Sequence, residues 1–140
     1  MRQIEFRGKL LNTNVWIYGN LRIHFVDGDF EQENSKYFIE YNYIDKFGKV
    51  HRDSYEVDPS TIGQFTGLVD KNGKRIYEGD VIKLEDRYVF VTYDEYLCAY
   101  DLEFLKYRNQ ADIIFVFKSI KMLDLFKYEV IGNIHTKENK

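Results

Sequence analysis

From Tyr37 to Tyr43 every second residue is aromatic or aliphatic: Tyr37, Ile39, Tyr41 and Tyr43, with Glu40 and Asn42 between them. A period of two is the mark of a strand with one face toward a core. Asp45-Lys-Phe-Gly48 follows as a turn, and Lys49 to Val57 returns, so Lys36–Val57 reads as a hairpin. Segments rich in Tyr, Ile, Val and Phe recur along the chain with turn residues between them. Val15–Val26, Gln64–Val69, Lys74–Tyr77, Val81–Leu84, Tyr88–Tyr93, Ile113–Phe117 and Tyr128–Ile134 all read as strands. Gly19-Asn20 is expected to bend or bulge the first of these. Leu97–Tyr107 fits either a strand or a short helix, and Met122–Phe126 fits one helical turn.

Asp58-Pro59-Ser60-Thr61 breaks the pattern. Asp suits a helix cap and Pro the first helical position. A single helical turn is therefore expected at 58–62, ended by Gly63, and it is the natural boundary. Beyond it, Asp70-Lys-Asn-Gly73 and Glu78-Gly79-Asp80 supply two tight bends, with Asn72 and Gly73 both tolerant of positive φ. The expected fold is all-β with one or two short helical turns. Residues 1–62 form an N-terminal β region, 63–135 a small barrel or sandwich, and 136–140 a frayed tail. No internal repeat or low-complexity stretch is read.

Composition narrows the function classes. Apolar residues make up 44% of the 140, which excludes a disordered chain. One Cys excludes an internal disulfide, and one Pro excludes a proline-rich linker. The net charge of −3 argues against a dedicated nucleic-acid binder. The opening MRQIEFRGKL carries charges every two or three residues, so no signal peptide is expected, and the longest apolar run, Ile113–Phe117, is far short of a membrane span, so no membrane partner is expected and the cytoplasm is.

The motifs that carry chemistry elsewhere are missing or incomplete. Gly8-Lys9, Gly48-Lys49 and Gly73-Lys74 are not followed by Ser or Thr, so no Walker-type phosphate loop exists. Gly73 stands fourth from Asp70, which fails the EF-hand spacing. The acidic residue two before a lysine that one nuclease arrangement needs occurs only at Glu138-Asn-Lys140. Asp27, Asp29, Glu31 and Glu33 alternate and are candidate metal ligands, but a solvated acidic loop explains them as well. His24, His51 and His135 are isolated and read as half-exposed strand residues. Cys98, beside Ala99, reads as a buried inert thiol. Neither a catalytic residue nor a cofactor is expected.

The stretch Gln64-Phe-Thr-Gly-Leu-Val-Asp-Lys-Asn-Gly-Lys-Arg-Ile-Tyr-Glu-Gly-Asp80 resembles the signature of the YopX-like family of phage and prophage proteins. Phe6-Arg-Gly-Lys9, Trp16-Ile-Tyr-Gly19, Asp58-Pro59, Gly63 and Tyr128–Ile134 agree with that family in order and spacing. His135 departs from it, standing where an aromatic is usual, and Asp94–Ser119 does not align. The resemblance implies an SH3-like barrel in the C-terminal part, a bacterial cytoplasm as the working place, and no established catalytic residue.

Within the motif, Thr66, Gly67, Asp70, Asn72, Gly73, Tyr77, Glu78, Gly79 and Asp80 read as turn and scaffold residues. Asp70 and Asn72 are expected to bond their own backbone. The favoured function is a non-catalytic module that binds protein, including a second copy of itself. Twelve Tyr and eleven Phe are more than so small a domain readily buries. The first alternative is single-stranded nucleic-acid binding. Lys71, Lys74 and Arg75 would contact phosphates, helped by Arg2, Arg7, Lys9, Lys118, Lys121 and Lys127, with tyrosines stacking on bases. The second is an enzyme whose site only folding assembles.

Overall fold

A computed structural model describes residues 3–25, 34–84, 87–96, 98–104 and 129–135. Residues 27–33 of the acidic loop expected at 27–35, the strand at Ile113–Phe117, the turn at Met122–Phe126 and the tail lie outside them, as do Arg2, Lys118, Lys121 and Lys127. The described residues are all-β apart from one 3-10 turn. The strands are β1 (Phe6–Lys9), β2 (Trp16–His24), β3 (Lys36–Ile44), β4 (Val50–Glu56), β5 (Gly63–Val69), β6 (Arg75–Tyr77), β7 (Asp80–Leu84), β8 (Arg87–Asp94), β9 (Ala99–Phe104) and β10 (Glu129–Asn133). They form two hydrogen-bonded sheets, in the orders β4-β3-β2-β1-β5-β6 and β10-β7-β8-β9. No closed barrel is traced among them. The chain divides into two compact units, Met1–Gln64 and Phe65–Lys140, within β5.

In the first unit β1 to β4 form an antiparallel meander. Its registers run Phe6↔Gly19, Leu21↔Ile39 and Ile39↔Tyr55. Ile39 is fully buried, as the alternation of β3 requires. The end of the meander is tied back to its start: Leu10 bridges Val57, and the Leu11 amide donates to the Glu56 carbonyl at 3.0 Å. Gly19 does not bend β2, whose pairing runs through it without a shift. A Cβ there would stand 2.2 Å from the Glu40 carbonyl oxygen, so glycine is needed for the close approach of two backbones.

The 3-10 turn covers Pro59–Thr61. Asp58 caps it, accepting from the Ser60 amide at 3.0 Å, and the Ile62 amide closes it on the Pro59 carbonyl. Gly63 does not end it but already belongs to β5. The Thr61 hydroxyl donates to the Asp58 carbonyl at 2.6 Å and accepts from the Lys9 amide at 2.9 Å, fastening the turn to the end of β1.

The core of the second unit is Ile76, Ile82, Val89, Val91 and Val130. β5 and β6 pair with a register shift between Phe65 and Val69, where Gly67 takes φ +91°. The Thr66 hydroxyl bridges the irregularity, donating to the Ile76 carbonyl at 2.8 Å and accepting from the Leu68 amide at 3.2 Å. The ambiguous Leu97–Tyr107 stretch contains a strand, β9, paired along β8. Cys98 corrects its expectation: it is exposed, in the β8–β9 turn, with φ +50°. Its place outside the ladder, in a turn rather than a core strand, keeps the thiol at the surface.

Candidate interaction surfaces

Two hairpin tips share one construction. In Asp45-Lys-Phe-Gly-Lys49, the Gly48 amide donates to the Asp45 carbonyl at 3.0 Å and the Asp45 amide to the Lys49 carbonyl at 2.9 Å. In Asp70-Lys-Asn-Gly-Lys74 the same two bonds are 3.0 and 2.8 Å. In each tip one Asp carboxylate oxygen accepts from two further amides, Phe47 and Lys49 in the first and Asn72 and Lys74 in the second. In each tip only the glycine adopts positive φ, +80° at Gly48 and +79° at Gly73. The expectation of an Asn-Gly pair with two such residues is thus corrected. These are three-residue loops with a terminal left-handed glycine. The shared Asp-Lys-x-Gly-Lys pattern is legible in the sequence itself.

The second carboxylate oxygen distinguishes the tips. That of Asp45 pairs with His51 Nε2 at 2.7 Å. This bond, with the Lys49 and Phe47 amides, holds the Asp45 carboxyl below the usual carboxylate range. That of Asp70 accepts from the Val130 amide at 2.9 Å, attaching the tip to β10. Asp70 is buried, which pushes its pKa up, but bonds from Val130, Lys74 and Asn72 outweigh this and the net shift is downward. Asn72 does not bond its own backbone. Its side-chain amide lies 3.5 Å from Glu129, whose other oxygen is 3.5 Å from the Lys71 ammonium.

Gly79 and Asp80 fix the next bend. The Gly79 amide donates to the Val91 carbonyl at 2.8 Å, and its carbonyl accepts from Ile134 at 2.9 Å. The nearly inaccessible Asp80 carboxylate accepts from the Tyr77 amide at 2.8 Å. Tyr77 is buried with its ring 5.5 Å from that of Phe65, and Glu78 is half-buried in the bend. His135 is half-buried over Gly79, with Nε2 3.4 Å from where a Cβ would be.

The tyrosine-bearing face of the β3–β4 hairpin is a continuous stack. Tyr41 and Tyr55 lie 5.8 Å apart with an interplanar angle of 10°, and Tyr43 and His51 lie 4.8 Å apart at 12°. Tyr41 and Tyr43, at 6.0 Å, join the two pairs. A hydrogen bond to Tyr55 and partial desolvation push the Tyr41 hydroxyl up to about 12. The burial that Ile39 shows decays toward the tip, where Tyr43 is 43% exposed.

The basic groups are divided. Lys71, Lys74 and Arg75 are exposed around the second tip, with the Arg75 guanidinium 5.2 Å from the Phe65 ring. Arg7 and Lys9 are 5% and 7% exposed, so they do not supply a phosphate-binding surface. They project from the same side of β1, and both cations lie over the Trp16 ring, at 4.6 and 5.6 Å. Arg22 lies on the opposite face of the meander from the tyrosine stack, bonded to Glu40 at 2.6 Å and set over Phe38. His24 is exposed at the end of β2. Among the described residues no group of three or more His, Cys, Asp or Glu stands close enough to hold a metal ion, and Asp27, Asp29, Glu31 and Glu33 lie outside them.

The sequence profile described as YopX protein matches residues 5–139. The chain belongs to the YopX family. The match covers both units of this YopX chain. None of the curated proteins compared matches it. Among solved structures it is similar to the crystal structure of protein EF1440 from Enterococcus faecalis. The identity is 25% and the TM-score 0.54, covering 96% of this chain and 95% of that one. Placed on the structure, the Gln64–Asp80 stretch of this YopX chain is a run of backbone-fastening groups. Two of its three carboxylates, Asp70 and Asp80, are directed at amides.

Proposed function

We propose that this chain is a non-catalytic β module that recognises protein, including a second copy of itself, through the tyrosine face of the β3–β4 hairpin. The observation that carries the reading is the stack of Tyr55, Tyr41, Tyr43 and His51, half-buried except for Tyr43, which is exposed. Tyrosine is enriched at interfaces because it combines a large rigid apolar area with a polar end. The edge of β4 is less suited to self-pairing. A two-fold antiparallel pairing centred on the strand sets Arg52 against Arg52 or Asp53 against Asp53, and like charges directly opposite are unfavourable.

The nucleic-acid alternative finds less support. Arg7 and Lys9 are buried, and Arg22 lies on the face away from the stack. For the second unit we infer an SH3-type barrel built from residues 63–135. The return of β10 to pair with β7 supports it. Family membership supports a phage or prophage protein at work in a bacterial cytoplasm, partnered by host or phage protein.

Light scattering on the full chain over a range of concentrations tests the reading. The expected result is a mass that rises above the monomer and returns to it in Tyr43→Ser. A strict monomer at every concentration removes self-recognition.

A further inference from the structure

The twin tips provide an internal control. Asp45-Lys-Phe-Gly-Lys49 and Asp70-Lys-Asn-Gly-Lys74 form the same turn with the same bonds, and the third position is Phe in one and Asn in the other. The turn therefore does not require an aromatic there. Yet Phe47 is 82% exposed, and the cross-strand neighbours Ile44 and Val50 at the base of the tip are 70% and 61% exposed. Three large apolar side chains thus stand exposed at one end of the hairpin, and the twin tip shows that the turn itself does not call for the aromatic one.

The charges around them are one-sided. Lys46 and Lys49 are exposed, and the Lys46 ammonium lies 5.1 Å from the Phe47 ring. The one carboxylate of the tip, Asp45, is turned inward onto two amides and His51. Farther along β4 come Arg52 and Asp53, of opposite sign. Charges more than about 8 Å away are largely screened at physiological salt, so the local cations, not the net −3, set what the tip attracts.

We propose that this tip docks on an anionic lipid surface, with Phe47 inserted at the headgroup boundary and Lys46 and Lys49 on lipid phosphates and carboxylates. Lysine is depleted from protein interfaces, whereas an apolar tip flanked by lysines matches the bilayer boundary. Among the described residues no helix is long and apolar enough to cross a membrane, and surface docking by a hairpin needs none. The inference is independent of the tyrosine-face reading.

Co-sedimentation of the full chain tests it, using vesicles of equimolar phosphatidylserine and phosphatidylcholine against pure phosphatidylcholine. The expected result is binding to the anionic vesicles that falls as salt rises. Phe47→Asn, the residue of the twin tip, should weaken it roughly tenfold, about the effect of one partly buried Phe, with an unchanged melting curve. Lys46→Glu with Lys49→Glu should abolish it. Equal binding to both vesicles, or full binding by Phe47→Asn, overturns the proposal. So does a chain that ignores both vesicles but loses self-association in Phe47→Asn, an outcome that assigns the tip to a protein contact.

Discussion

Asp45 and Asp70 hold the same position in the same turn, and burial separates what they do. Asp70 is a buried carboxylate accepting three amides, one of them from β10. Asp70→Asn turns an NH2 group toward one of those donors. It should cost about 1–3 kcal/mol in chemical denaturation. The pH dependence follows from the downward shift of Asp70. Its contribution is complete above the unfolded carboxylate value of about 3.9 and is lost as pH falls through the lower folded value. Asp70→Asn should therefore lose less stability on acidification than the parent chain. Tyr41 provides a second check at this scale. Spectrophotometric titration should find one tyrosine ionising near 12, and Tyr55→Phe should bring it back toward 10.

At the scale of elements, the β3–β4 hairpin was the most legible part of the chain, because alternation and turn residues agree there. Boundaries were less so: the return strand begins at Val50, since Lys49 is still spent on the turn. The role of Gly19 was misread because sequence cannot separate a glycine that bends a strand from one that admits a neighbouring backbone. Gly19→Ala should cost about 3 kcal/mol or more, through contact with the Glu40 carbonyl. Gly67→Ala meets open space and only backbone strain, and should cost about 1–2 kcal/mol. Equal costs in thermal melts would contradict that distinction. Arg7 and Lys9 were misplaced at a phosphate surface because charge alone was counted. Their spacing of two on a strand, with Trp16 opposite Lys9, was the available signal for a cation–aromatic cluster.

For the whole molecule, the all-β class and the family were legible because turn chemistry dominates Gln64–Asp80, and turn residues are constrained locally. The tyrosine face was legible only as an excess of aromatics. Which rings stack, and which remain in water, depends on cross-strand register that composition does not contain. Cys98 shows the same limit: its apolar neighbours suggested burial, while its turn placed it outside the ladder. The claim that joins these scales is that the motif fastens the scaffold while the β3–β4 hairpin meets the partner. Concentration-dependent light scattering of the parent chain beside Tyr43→Ser and Asp70→Asn tests it most directly. The account predicts an oligomer that Tyr43→Ser dissociates while the chain stays folded, whereas Asp70→Asn lowers stability and retains assembly wherever it is folded. Assembly lost in folded Asp70→Asn but intact in Tyr43→Ser would contradict it.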